Sequence, residues 1–208
     1  MTDQVIRKML KRIVTVGVLS GAALIAYVLM IRPRQLRWGA TNEEVLRPMP
    51  GDDVVEHPTF NATRAVTVKA RPEQIWPWLL QIGFHRAGWY SYDWVDNLFR
   101  PSAERIVPEL QHLRAGDVIP MGPGGSSGLW VKDLEPDRWM LWWDKKGYAT
   151  WLWLLDPIGE GRTRLITRVR AHYRWTSPSI LFSLPMDVGD IVMMRKSMLA
   201  VKRRAERT

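Results

Sequence analysis

The sequence of 208 residues contains no cysteine. This absence excludes disulfide bonds, thiolate nucleophiles and thiolate metal ligands, and it leaves the redox compartment of the protein open. Histidine is scarce as well: the four histidines, at positions 57, 85, 112 and 172, are far apart and show no metal-ligand spacing. The glycine-rich residues 122–128 lack the Gly-Lys-Ser/Thr ending of a phosphate-binding loop and are interpreted as a turn. The sequence therefore predicts no metal ion and no cofactor.

Tryptophan, in contrast, is abundant, with twelve residues. The densest aromatic cluster lies in residues 86–97 (RAGWYSYDWVDN), where Trp89, Tyr90, Tyr92 and Trp94 fall within six positions. Such side chains can fill a core or line a pocket, because one end is apolar and the other seeks a hydrogen-bond partner. Since 46% of the residues are hydrophobic, the chain can bury a sizeable core, and both interpretations remain open.

The formal net charge of +9 is concentrated at the two ends of the chain. Residues 1–37 and 195–208 together hold thirteen of the 30 basic residues but only two of the 21 acidic ones, so residues 38–194 are close to neutral. Basic ends beside an apolar segment indicate a membrane surface rather than a nucleic acid as the partner. We therefore expect no nucleic-acid binding.

Residues 13–31 form an uncharged apolar run of nineteen residues. A helix of this length crosses a hydrocarbon core of about 30 Å, so the run predicts a transmembrane helix. A cleaved signal peptide is the alternative, but the run is longer than a usual signal-peptide core. The predicted organisation is a basic segment 1–12, a transmembrane helix 13–31, a linker 32–59 that is rich in proline, and a folded domain 60–208.

This organisation predicts a single-pass protein of the cell membrane. Four basic residues precede the apolar run and three follow it, so the positive-inside rule gives almost no asymmetry. A first span often acts as an uncleaved signal-anchor, and on that basis we expect the domain outside the cytoplasm.

For the domain, the sequence predicts a strand, a helix, a helical insertion, an antiparallel meander and a final helix, in this order. Alternation in residues 63–70 predicts the first strand, Pro72 and Gly83 bound the first helix, and a second helical piece is expected over 102–113. Five turn signals then separate short apolar runs, which predicts an antiparallel meander. Its strands are expected at 118–121, 128–133, 138–143, 150–155 and 163–175. The last helix is expected at 187–205.

The last strand of the meander shows the clearest alternation in the chain. Arg164, Arg168 and Arg170 share one face, which predicts a wet, cationic side of the sheet opposite a buried side. One interpretation is a solvated face with cross-strand ion pairs. The other is a surface for anionic lipid or an acidic partner.

The order of elements is that of a helix-grip fold, a curved antiparallel sheet around a long C-terminal helix. Over residues 60–205 the chain resembles the SRPBCC superfamily, the START-like and polyketide cyclase/dehydrase-like proteins. Residues 76–79 (WPWL), 86–94 (RAGWYSYDW) and 193–196 (MMRK) resemble a membrane-tethered, actinobacterial-type branch of it. The resemblance implies an α+β fold with an apolar cavity for lipids, polyketides or other hydrophobic molecules, and it does not imply one chemistry.

Three functions follow as hypotheses. The first is a membrane-anchored protein that binds a hydrophobic small molecule or lipid; its expected ligand-binding residues are Trp89, Tyr90, Tyr92, Asp93, Trp94, Trp142, Trp153, Met194 and Met198. The second is a cyclase/dehydratase-like enzyme, for which His85 and Asp93 are the candidate acid/base pair. The third is an interaction module without a ligand, which would use Arg164, Arg168 and Arg170 at a membrane surface. The sequence favours binding over catalysis and predicts no oligomeric state.

Overall fold

The computed structural model describes residues 3–123, 128–172 and 180–207, which form two compact units, Met1–Leu36 and Arg37–Thr208. The first unit is helical: α1 (Asp3–Ala26), a π-helical turn (Tyr27–Ile31) and α2 (Arg32–Leu36) follow one another directly. Residues Arg12–Leu36 are long and apolar enough to cross a membrane, by length and composition. The transmembrane helix therefore stays a prediction.

The second unit contains one antiparallel sheet of six strands in the order β1-β6-β5-β4-β3-β2. Its strands are β1 (Phe60–Val68), β2 (Val118–Pro120), β3 (Gly128–Glu135), β4 (Trp139–Trp143), β5 (Ala149–Pro157) and β6 (Thr163–Ala171). Its helices are α3 (Asn42–Leu46), α4 (Pro72–Leu80), α5 (Asp93–Asp96) and α6 (Ile180–Ala205), with a 3-10 turn at Pro108–Leu110. The predicted helix-grip fold is confirmed.

Two predicted elements differ from the structure. The helical piece expected over 102–113 is only the 3-10 turn, because Pro108 breaks the helical pattern and the Gln81 side chain takes over backbone groups of this segment. The last helix starts at Ile180 rather than 187 and includes Pro185. Residues 173–175, predicted as the end of the last strand, lie outside the described residues.

The inner face of the sheet carries the main core. Helices α4 and α6 cover this face, and alternate residues of the strands point into the core. On β5, for example, Trp153 and Leu155 are buried there, whereas Leu152 faces the other side.

Residues 37–59 cover the outer face of the sheet, and we call them the outer-face segment. Met49 packs against Leu141, Leu152 and Ile166 in a second apolar cluster. A capping box at Thr41, closed by the Glu44 side chain, starts α3 within this segment. The interpretation of residues 32–59 as a linker was therefore wrong, and the folded unit begins at Arg37.

The predicted wet, cationic face was also wrong, because the outer-face segment encloses the arginines of β6. Arg168 donates hydrogen bonds to Thr63, to Asp52 and to the backbone carbonyls of three residues of the segment: Glu44, Val45 and Arg47. Its side chain is 3% exposed.

The two neighbouring arginines make similar contacts. Arg164 pairs with Glu44 at 2.7 Å, and Arg170 donates to the carbonyl oxygen of Val55. Burial by itself would raise the pKa of Glu44, but its hydrogen bonds from Arg164 and Thr41 hold that pKa below its ordinary value. These guanidinium groups hold the outer-face segment on the sheet and are not available to a membrane surface.

Candidate functional site

The aromatic residues 89–94 follow a tight connection after α4. Gly83 and Gly88 face each other in an isolated β-bridge, and both have positive φ. A Cβ atom on Gly88 would lie 2.3 Å from the Ser102 hydroxyl oxygen, so only glycine fits there. That hydroxyl accepts a hydrogen bond from the Tyr90 backbone and donates to Asp93 at 2.5 Å. The connection therefore fixes where the aromatic side chains point.

Trp89 extends a wall of tryptophans on the inner face of the sheet. Its ring stacks on Trp151 with a centroid distance of 5.7 Å, and Trp151 in turn contacts Trp142 and Trp153 at 5.0 and 5.5 Å. The Trp151 indole donates to the Thr167 hydroxyl. Trp142 and Trp153 lie beneath this layer and are completely buried.

A cavity of about 330 Å³ lies between this wall, residues near α5 and one side of α6. Its walls are mostly apolar, and four polar side chains interrupt them. The lining residues are Trp89, Ser91, Val95, Asp96, Met121, Trp151, Gly189, Asp190, Met193, Met194 and Ser197. The volume falls at the lower end of the range of small-molecule sites.

Asp96 is the unusual polar group of this cavity. Both of its carboxylate oxygens are buried and find no hydrogen-bond partner among the residues that the structure describes. Burial, and next the negative charge of Asp93, raise the pKa of Asp96 to about 6. The backbone of Tyr92, and next the Ser91 side chain, oppose this rise only in part, because neither meets an Asp96 oxygen in good hydrogen-bonding geometry. A carboxyl group that titrates near neutral pH in an apolar cavity is typical of functional sites.

The raised pKa of Asp96 predicts a pH-dependent stability. Because it lies above the ordinary 3.8, the stability linked to this group is fully present below about pH 4 and is lost as the pH rises through about 6. As the pH rises from 4 to 7.5, we expect the free energy of unfolding of Asp96→Asn to increase by about 1 kcal/mol relative to that of the parent protein. This value allows for solvent screening near the cavity. Urea unfolding of both proteins across this pH range measures the difference. A constant difference would contradict the prediction.

A second carboxylate, Asp190 of α6, lies on the opposite side of the cavity. It pairs with Arg64 of β1 at 2.6 Å, and the Arg64 side chain is almost completely buried. The cavity therefore holds one carboxylate with a cationic partner and one, Asp96, without such a partner among the described residues.

The structure brings together part of the predicted binding set. Trp89 and Met194 line the cavity, whereas Trp142, Trp153 and Met198 are buried core residues next to it. The remaining predicted residues do not line it in the part of the chain that the structure describes. Tyr90 is buried between α4 and α6, where it receives a hydrogen bond from Gln81; Tyr92 lies under Lys196; Trp94 is 61% exposed.

The predicted acid/base pair is not assembled. His85 is exposed and stacks on Phe84, while both carboxylate oxygens of Asp93 accept hydrogen bonds from Ser102. A literal Gly-x-Ser-x-Gly sequence stands at 124–128, between the antiparallel strands β2 and β3 and not between the strand and helix of a nucleophile elbow. Residues 124–127, which belong to the turn predicted over 122–128, lie outside the described residues. Among the described residues, no group of His, Asp and Glu could hold a metal ion.

Sequence reasoning missed five cavity residues with polar or aromatic side chains: Ser91, Asp96, Trp151, Asp190 and Ser197. Ser91 and Asp96 lie within the aromatic stretch, so the sequence indicates their region. It does not indicate that they are buried. Trp151 alternates with Leu152 on β5, and the face of this strand that points inward depends on the sheet register.

Comparison with solved structures gives fold-level likenesses. A polyketide cyclase-like protein, Cgl2372 from Corynebacterium glutamicum, is 15% identical; the match covers 69% of this chain and 89% of that chain, with a TM-score of 0.44. The chain is similar in structure to polyketide cyclase-like proteins.

Two further examples are CalU16 from Micromonospora echinospora and the Aha1 dimer from Colwellia psychrerythraea. CalU16 is 14% identical, over 70% of this chain and 85% of that chain, with a TM-score of 0.34. Aha1 is 15% identical, over 70% and 96%, with a TM-score of 0.38. No family model and no curated protein matches the sequence. A shared fold does not by itself fix a shared function.

Proposed function

We propose that this protein binds an apolar small molecule or lipid in the cavity beneath α6, and that the ligand carries a hydrogen-bond donor. The observation that carries the proposal is an apolar cavity of about 330 Å³ with the buried carboxylate of Asp96 at its wall. A buried polar atom without a partner costs free energy, which a donor on a ligand would recover.

The walls favour an aliphatic or aromatic ligand. Trp89 and Trp151 offer flat ring faces, and Met121, Met193 and Met194 are flexible side chains that adapt to different shapes. Adaptable walls of this kind suit a long-chain molecule better than one rigid substrate.

The polar groups favour a hydroxyl or amine over an acid. Asp96 would accept a hydrogen bond from either, and Ser91 and Ser197 would add weaker contacts. A ligand carboxylate would meet the charge of Asp96 at the same place and would be repelled. We therefore expect long-chain alcohols or amines to bind more tightly than fatty acids of equal length.

Membrane anchoring belongs to the same proposal. The apolar helix Arg12–Leu36 meets the length and composition of a membrane span, and apolar ligands are concentrated in bilayers. A protein held at a membrane would take up such a molecule without its passage through water.

Photochemical crosslinking tests the proposed function directly. The full chain, in nanodiscs, is irradiated with a long-chain alcohol that carries a diazirine, and labelled peptides are identified by mass spectrometry. We expect labels on residues around Trp89 and Met193, and weaker labelling by the carboxylic acid of the same length. Labels confined to residues 13–31, with none at the cavity, would overturn the proposal.

One observation favours an enzymatic alternative of the cyclase/dehydratase type. A carboxyl group with a pKa of about 6 can both donate and accept a proton near neutral pH, so Asp96 would be the acid/base group in place of His85 and Asp93. Mass spectrometry of the molecule that copurifies with the parent protein and with Asp96→Asn separates the two functions. A different bound molecule in the variant indicates turnover, and the same molecule indicates binding alone.

A further inference from the structure

The end of α5 and the residues that follow it, beside the cavity, expose an unusual amount of apolar surface. Trp94, Val95, Leu98 and Phe99 are 61%, 50%, 54% and 78% exposed, and we call residues 94–99 the apolar loop. Single exposed apolar residues are common, whereas four within six positions mark an interaction site.

The apolar loop is held in this shape. Leu98 and Phe99 have φ values of 49° and 63°, which bulky side chains rarely adopt and which cost about 1–3 kcal/mol each. The buried Asn97 fixes the turn, since its side chain donates to the Arg100 carbonyl oxygen and accepts from the His85 backbone. The Phe99 backbone in turn donates to the Asp93 carbonyl oxygen. The fold therefore maintains a strained turn that presents apolar side chains to solvent.

Around the apolar loop, acidic side chains point into the protein and basic side chains lie at the surface. Asp93, just before the loop, is bonded to Ser102, and within the loop the carboxylate oxygens of Asp96 are buried. Basic groups lie outside, at the exposed Arg100 and at Lys196, which sits 3.7 Å above the ring of Tyr92. Tyr92 contacts Trp94 edge to face, so the Lys196 cation is next to the exposed aromatic surface.

The apolar loop is also continuous with the cavity. Val95 is half exposed and lines the cavity, and so does Met121, which is 41% exposed. The cavity therefore opens at the surface that carries the exposed apolar side chains.

We propose that the apolar loop inserts into the surface of a bilayer that contains anionic lipids. Trp94 and Phe99 would lie at the boundary of headgroups and acyl chains, where amphipathic aromatic rings are enriched, and Arg100 and Lys196 would contact anionic headgroups. The cavity opening at Val95 would then face the lipid. The folded unit begins at Arg37, directly after the apolar helix, so no long tether separates the two in the sequence.

The absence of cysteine makes this proposal testable at single positions. Phe99→Cys in the full chain is labelled with a fluorophore and placed in nanodiscs of phosphatidylcholine and phosphatidylglycerol, with and without nitroxide-labelled lipid. The matched control is Leu46→Cys, because Leu46 is 81% exposed and belongs to the outer-face segment. We expect the lipid nitroxide to quench the label at 99 roughly twofold or more over the label at 46, since inserted groups lie at the acyl boundary.

Three outcomes decide the proposal. Stronger quenching at 99 supports it, and Leu98→Cys must then behave like Phe99→Cys. Equal quenching at 99 and 46, or none at 99, overturns it. If the label at 99 is quenched as strongly in nanodiscs of phosphatidylcholine alone as in those with phosphatidylglycerol, the role of the anionic lipid is overturned. Because this measurement needs no bound ligand, its failure leaves the crosslinking result of the proposed function unaffected.

Discussion

Replacing Arg168 by methionine lowers the free energy of unfolding of the folded unit by about 3 kcal/mol, the scale for removing one partner of a buried ion pair. Methionine keeps most of the side-chain volume but donates no hydrogen bond. The carbonyl oxygens of Glu44, Val45 and Arg47 then lose a donor, and the Asp52 carboxylate loses its closest cation. Arg170, 3.4 Å from Asp52, compensates only in part.

Urea unfolding followed by tryptophan fluorescence measures this loss. All twelve tryptophans lie after Leu36, so the signal reports on the unit Arg37–Thr208 and not on the apolar helix. The matched control is Arg162→Met, because Arg162 is exposed near the start of the same strand, and we expect its effect to stay within about 0.5 kcal/mol. Similar losses in both variants would show that the outer-face segment does not depend on Arg168.

Gly189→Leu is expected to reduce occupancy of the cavity by at least about tenfold, equivalent to 1.4 kcal/mol of binding free energy. Gly189 lines the cavity on α6, and a Cβ atom there meets no atom of the described residues within 4 Å. A leucine side chain therefore enters open space and competes with the ligand without a clash. Because glycine weakens a helix interior, this variant should also be more stable than the parent, by about 0.5–1 kcal/mol.

Gly189→Ala is the matched control for the filled cavity. Alanine brings the same relief of the glycine penalty but adds only one methyl group, so it should stabilise α6 and leave most of the cavity free. Crosslinking with the diazirine-bearing alcohol compares the two variants. If both label as strongly as the parent protein, the ligand does not occupy this cavity.

Interpretation from the sequence was reliable where one local pattern decides. The alternation of β6 predicted which residues share a face, and Pro72 and Gly83 bounded the first helix well. The same alternation predicted the wrong environment for Arg164, Arg168 and Arg170, because periodicity separates two faces but does not say what covers each of them. The prolines of the outer-face segment led to its interpretation as a linker, because proline breaks regular structure. They do not prevent Met49 and Val55 from being buried.

The candidate site shows the same limit. The aromatic stretch marked the correct region, but only Trp89 of its four aromatic residues lines the cavity within the described chain, while Tyr90 fills the core and Trp94 points outward. Asp96 was visible only as one acidic residue among aromatics. Its pKa depends on burial and on the distance to Asp93, which no local pattern encodes.

The sequence by itself determined the helix-grip order of elements, the basic ends, the apolar run at 13–31 and the region that borders the cavity. These follow from composition and from periods of 2 and 3.6 residues, which act over short distances along the chain. Only the tertiary structure decided that residues 37–59 close the outer face, that the carboxylate oxygens of Asp96 are buried, and that Trp94 and Phe99 stay exposed. Each of these depends on contacts between residues far apart in sequence, and burial, the quantity that sets them, exists only once the chain has folded.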